Sequence, residues 1–233
     1  KFDLLHDRGR EAVARICFTL STHGLQHSKV VPLIGVAIVN GGASVVCEFE
    51  HYDTSAEDWM KSHGKRTLSN VGAIVNGLCM AVAKCHESGV AHRNIKASNV
   101  MFDGTAGVAL SDFDNSVFFP NFKLAEKDQS VQWPLSTGAP VGIACPIESL
   151  RSYIAPELTA TEIPRATAKS EYAADIWAMG CVIWQLFNSL HSDSRLPDNF
   201  ASFQSEHKGE QRNQFVCGIP QVVTIINRML ETE

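Results

Sequence analysis

The chain has 233 residues, 45% hydrophobic and 19% charged, enough apolar material for one large domain or two small lobes and too apolar for a disordered chain. A formal charge of −5 and a pI near 6.0 exclude nucleic acid as the main partner, because a surface that tracks a phosphate backbone draws on a basic excess. No apolar run approaches the roughly 18 residues of a membrane span and no secretory leader opens the chain, so no direct membrane span is expected, and a start at Lys1 reads as a fragment or a mature form.

In chain order, Glu11 to about Leu20 carries Ala12, Val13, Ile16 and Leu20 near helical spacing and predicts an amphipathic helix ending before Gly24. Val30–Val39 and Ala43–Glu50 are β-rich runs joined by Asn40-Gly41-Gly42, a hairpin signal. Ser55–His63 predicts a short polar helix. Thr67–Glu87 predicts a longer one, with Val71, Ile74, Val75, Leu78, Val82 and Ala83 on its apolar face and Gly89 closing it. Asn115 to Ser152 is long, irregular and rich in Pro and Gly, as functional or mobile loops are. Tyr172–Leu190 is apolar nearly all round, broken mainly by Asp175 and Gln185, and predicts a buried helix with Trp177 and Trp184 in the core. The seven cysteines include no CxxC pair, so no zinc or other metal site is expected. They read either as buried small hydrophobes or as one or two disulfides of a secretory compartment.

The chemistry concentrates in Val90-Ala91-His92-Arg93-Asn94-Ile95-Lys96-Ala97-Ser98-Asn99-Val100 and in Ser111-Asp112-Phe113-Asp114. These resemble the catalytic loop and metal-binding loop of protein kinases. In the pattern H-R-D-x-x-x-x-N the Asp accepts the substrate hydroxyl proton and the Asn holds magnesium. Here Asn94 stands in place of the Asp. An amide cannot hold a proton, so base assistance worth about 10²–10⁴-fold is lost. Two further matches follow in the family's order. Tyr153-Ile154-Ala155-Pro156-Glu157 resembles the A-P-E end of the activation segment, and Asp175-Ile176-Trp177-Ala178-Met179-Gly180 the D-x-W-x-x-G start of the central helix.

The resemblance implies an α+β, bilobal protein kinase-like fold. Residues 1–50 would form a reduced small lobe of helix, hairpin and hinge, and residues 51–233 a mainly helical large lobe. Glu48-Phe49-Glu50 would be the hinge and Cys47 the gatekeeper. Glu11 falls on the helix that carries the ion-pairing Glu, but farther from the hairpin than usual, and reads equally as a solvated first-turn charge. No G-x-G-x-x-G occurs in the sequence. Val36-Ala37-Ile38-Val39 mimics the strand that supplies the phosphate-binding lysine, with Val39 where Lys would be, and only Lys1 and Lys29 precede the hinge. Thr224–Leu230 resembles the penultimate helix of the large lobe, after which the family supplies the Arg that pairs with the A-P-E glutamate, here Glu157.

Residue by residue, the resemblance makes His92 a support of the loop, Arg93 a binder of activation-segment phosphate or of an acid, and Lys96 a contact to the transferring phosphate. Asn99 and Asp112 preserve the magnesium ligands. Asp114 replaces the Gly of D-F-G, adding a carboxylate and removing a residue that tolerates positive φ. Asp175 is expected to accept backbone N–H bonds from the catalytic loop. The whole is similar to a pseudokinase, and within pseudokinases to the secreted With-No-Gly-loop group of apicomplexan parasites, which includes the bradyzoite pseudokinase of Toxoplasma. That implies a protein-binding scaffold with no cofactor, no expected nucleotide binding, an unspecified protein partner, and a vacuole or cyst-wall setting; otherwise the site is cytoplasmic. An atypical or weakly active kinase and a nucleotide-sensing switch are the alternatives. Secretion would also imply a disulfide from Cys145 to another large-lobe cysteine. Cys79 and Cys85, six residues apart on one helix, are too far apart along its axis to pair.

Overall fold

The computed structural model describes residues 2–3, 13, 29–62, 66–103, 107–119, 152–158, 168–190 and 220–230. The expected helix over Glu11–Leu20 apart from Val13, most of the irregular stretch after Asn115, and Cys17, Cys145 and Cys217 therefore lie outside the described residues.

The hairpin forms where the Asn-Gly-Gly turn predicts it. Strand β2 (Leu33–Val39) pairs antiparallel with β3 (Ser44–Phe49), Val36 opposite Cys47 and Ile38 opposite Val45. Asn40, Gly41 and Gly42 all take positive φ (55°, 63° and 96°), which two glycines and an asparagine adopt at little cost. A short strand β1 (Phe2–Asp3) adds to the other edge of β3, giving the order β1-β3-β2. The expected first strand is shorter than its apolar run. Pro32 lacks an N–H and separates β2 from Val30, which bridges to Leu110 instead. Val31 N donates to Leu110 O at 2.8 Å and Leu110 N to Lys29 O at 2.9 Å. Lys29 is thus held beside β7 (Gly107–Leu110).

Two further antiparallel sheets carry the motif-bearing loops. β4 (Thr54–Ser55), β6 (Val100–Asp103) and β7 form one in the order β4-β6-β7, and β5 (Val90–Ala91) with β8 (Val117–Phe118) forms the other. Helix α1 (Ala56–Lys61) is started by the Ser55 hydroxyl accepting from Asp58 N at 3.1 Å, an N-cap in the preferred residue class. Helix α2 (Leu68–Glu87) is capped likewise by Thr67. Its buried face is Val71, Ile74, Gly77, Leu78, Ala81, Val82 and Cys85. Ala83, expected on that face, is exposed, because Ala81 and Cys85 complete the helical stripe. The helix is long and apolar enough to cross a membrane, contrary to the reading of the bare sequence. Its apolar stripe instead packs within the protein core.

Helix α3 (Ala168–Asn188) begins four residues before the expected Tyr172 start, which places Asp175 two turns inside it. It is the centre of the core: Trp177, Met179, Cys181, Val182, Ile183 and Leu186 are all buried. Helix α4 (Pro220–Met229) also starts earlier than the motif suggests, with Pro at its first turn, and lies against Gly180, whose added Cβ would sit 3.0 Å from Leu230. Cys79, Cys85 and Cys181 form no disulfide. Burial pushes the Cys79, Cys85 and Cys181 thiols up, so they stay protonated.

Gly77 is where α2 approaches β7: a Cβ there would come within 2.5 Å of Val108 Cβ, a branched atom with no freedom to swing aside. Gly77→Ala is therefore expected to destabilise the fold by about 1–3 kcal/mol through overpacking, despite alanine's better helix propensity. Gly72→Ala on the same helix meets nothing within 4 Å and should be neutral or stabilising by up to about 1 kcal/mol. Urea unfolding of the two variants beside the parent separates these outcomes.

Candidate functional site

The site is assembled by one buried carboxylate. Asp175, 1% exposed, accepts from His92 N at 2.7 Å through Oδ2 and from Arg93 N at 2.8 Å through Oδ1. His86 Nε2, from the last turn of α2, lies 3.0 Å from the same Oδ2, with its ring stacked on Tyr172 at 4.2 Å. Arg93 holds φ at +62°, a conformation an arginine keeps only when fixed by such bonds. The loop between β5 and β6 is thereby turned over the N-terminal part of α3.

His92 is fully buried. Its Nε2–H donates to Ser111 O at 3.0 Å, and Nδ1 accepts from Asn94 N at 3.2 Å. That pair of partners defines the neutral tautomer, and burial lowers the ring's pKa further than Asp175 and Asp112 raise it. Phe113 meets the ring edge-on at 4.4 Å. Asn99, at the end of the 3₁₀ turn Ala97–Asn99, accepts from Ser111 N at 3.0 Å through its carbonyl, tying the catalytic-like loop to the metal-like loop.

The motif residues then converge. Asn94 Nδ2 donates to Asp112 Oδ2 at 2.8 Å and lies 3.5 Å from Asp114 Oδ1. Asn99 Nδ2 donates to Asn94 O at 2.8 Å and reaches Asp112 Oδ2 at 3.3 Å. Asn94 and Asn99 are 4% and 6% exposed, so these bonds form away from water. Asp114, where a glycine was expected to matter, has no positive φ; the left-handed residue is Asp112, at φ +67°. Asp114 also accepts from Asn115 Nδ2 at 3.0 Å. The lost glycine costs the loop no strained residue at 114. Lys96 takes part through its backbone, its carbonyl accepting from Asn99 N at 2.9 Å.

Arg93 finds an acid that the sequence reading missed. Its Nε lies 3.2 Å from Glu171 Oε2, with both side chains under a tenth exposed. The atoms are not aligned as a hydrogen bond, so the pair is held by charge. Burial pushes the Glu171 carboxyl up more than the Arg93 guanidinium pulls it down. Glu171 sits one turn before Asp175 on the same face of α3, a signal hidden by placing the helix start at Tyr172. Glu157, in the turn Pro156–Leu158, is exposed and has no ion pair with a described residue. Nearby, Tyr153 Oη donates to Gln185 Oε1 at 2.7 Å, and burial raises its pKa to about 12. A cleft lined by Arg93, Asn94, Tyr153, Ala155, Glu171 and Asp175 opens between the loop and α3.

Comparison with known proteins follows the same residues. A model of the protein kinase domain matches residues 19–199. The chain is 25% identical over 179 residues to the mitogen-activated protein kinase kinase kinase mkh1 of Cytospora mali, covering 76% of this chain and 8% of that protein. A probable serine/threonine-protein kinase of Corynebacterium efficiens is 28% identical over 167 residues, 70% of this chain and 22% of its own length. Cyclin-dependent kinase 20 of Danio rerio is 27% identical over 149 residues, 64% of this chain and 37% of its own. The chain thus spans well under half the length of these curated relatives.

Two outcomes are expected of the anchor. Asp175→Ala leaves the His92 and Arg93 N–H groups buried without an acceptor and should cost about 3–5 kcal/mol in denaturant unfolding, whereas Glu57→Ala, which removes only an exposed pair with Lys61, should change stability by less than about 1 kcal/mol. The lowered pKa of His92 gives a sign with pH. The unfolded ring takes a proton near pH 6.5 while the native ring resists it. Its contribution is full above that pH and is lost as pH falls below it, with a slope of at most about 1.4 kcal/mol per unit. His92→Gln should lower stability at pH 8 and flatten this slope between pH 6.5 and 5, as read by unfolding at each pH.

Proposed function

This chain belongs to the protein kinase domain family, and we propose that it is a catalytically inactive member, a pseudokinase that binds protein partners. One observation carries the reading: the residue at the position of the family's base is Asn94, buried and donating its amide to Asp112. In phosphoryl transfer the base accepts the substrate hydroxyl proton; an amide nitrogen has no lone pair to offer, and this one points its hydrogens at a carboxylate. Arg93, in the family a reader of activation-segment phosphate, is engaged by Glu171. A binding role is supported by β2, where Ile34, Val36 and Ile38 stand 63%, 47% and 71% exposed, since rows of exposed apolar side chains mark surfaces that meet other proteins.

The finer reading is membership of the secreted With-No-Gly-loop pseudokinases of apicomplexan parasites, acting in a vacuole or cyst wall, and it rests on Asn94 in place of the base together with the lack of a G-x-G-x-x-G in the sequence. Nucleotide is not required by it.

Purified protein incubated with labelled ATP, magnesium or manganese and a generic protein substrate is expected to transfer no phosphate above the level of a heat-denatured control. Metal-dependent transfer by the wild-type chain, abolished by Asp112→Ala, would overturn the scaffold reading and favour a weakly active kinase.

A further inference from the structure

In protein kinases, side chains at the positions of Asn99 and Asp112 hold magnesium, and the donors here do not fit that cation. Asp112 Oδ2 accepts from Asn94 Nδ2 at 2.8 Å and lies 3.3 Å from Asn99 Nδ2. Two N–H poles therefore point at the oxygen a cation would have to approach. Neither amide can simply be turned. Asn99 Nδ2 donates at 2.8 Å to the carbonyl of Asn94, a bond only its nitrogen makes. Asn94 Nδ2 lies between the carboxylates of Asp112 and Asp114, both of which would repel its oxygen. The arrangement leaves Asn94 Oδ1 buried with no partner, so the amide keeps its nitrogen on the acids at the expense of its own acceptor. Among the described residues no three acids, histidines or cysteines are grouped to hold a metal.

We propose that Asn94 takes the place of the divalent cation: the positive end of its amide dipole faces Asp112 and Asp114, offsets part of their mutual repulsion and keeps the metal-like loop folded with no ion bound. The substitution at 94 is thus a gain as well as a loss. It removes a base and supplies a donor. An Asp at 94 would bring three carboxylates together at the same spacing, whose repulsion a cation among them relieves. The inference concerns the loop's charge balance and stands whether or not the protein binds partners.

The test is thermal unfolding of the purified chain in EDTA and in millimolar MgCl₂ or MnCl₂. The wild type should melt at the same temperature in all three. Asn94→Asp should melt about 4–8 °C lower in EDTA, the loss of a charge-assisted bond in a chain of this size, and recover most of that with either cation. The swap Asn94→Asp with Asp112→Asn and Asp114→Asn, which leaves one carboxylate facing two amides across the same contacts, should restore melting in EDTA and abolish the response to cation. If Asn94→Asp alone does not fold in EDTA, recovery of a cooperative transition by the swap supports the proposal and failure to recover overturns it. The proposal is also overturned if cation raises the wild type as much as Asn94→Asp, or if Asn94→Asp is as stable as the wild type in EDTA.

Discussion

The Asp175 carboxylate is the interaction on which the rest of the site depends. A buried carboxylate is costly unless its oxygens are occupied by donors, and here three converge on it: two consecutive backbone N–H groups and the His86 ring. It rides on α3, whose neighbours fix it within the core: Gly180 lets α4 come close, and the buried face of α2 packs into the same cluster. The position of the loop backbone is therefore set by the core, and the loop's own side chains are left to be changed. Asn94 is such a change. Its backbone carbonyl and N–H stay bound to Asn99 and His92, whatever its side chain can do.

Most polar groups of the site are matched inwardly, with Asn94 Oδ1 the exception. Arg93 is matched by Glu171, Asp112 by two amides, and His92 by a backbone carbonyl and a backbone N–H. In an enzyme some of these groups must be left poised for a substrate or an ion, at a cost in stability that the rest of the fold offsets. Here Asp112 and His92 already have partners within the protein.

Much of this was legible in the sequence because it lies in short-range signals. The Asn-Gly-Gly turn and the 3.6-residue stripe of α2 placed those elements to within a few residues, and motif spacing brought Asn94, Asn99 and Asp112 to one place. Long-range pairing was not legible. Nothing local announces that Phe2–Asp3 would add to β3 or that Val30 would leave the hairpin for Leu110, because strand partners far apart in the chain are chosen by the whole fold. Ala83 was misplaced for a different reason: an alanine fits either face of a helix, and only the neighbours decide. Glu171 was missed because a polar residue at the head of an apolar run looks like a boundary, whereas here it is a buried partner.

The Asp114 position shows how a motif can mislead in detail while remaining right in outline. Reading the lost glycine as lost conformational freedom assumes that the left-handed residue is the one the family varies. In this chain the positive φ falls on Asp112, and an Asp tolerates that region better than most residues because its short polar side chain bonds locally. Asp114 is then free to contribute charge, and that charge is what Asn94 answers, with Asn115 as a further donor. The two departures from the family pattern, Asn at 94 and Asp at 114, are thus one coupled change in charge: an acid removed on the catalytic-like loop and an acid added on the metal-like loop, with the amide donor turned to face both.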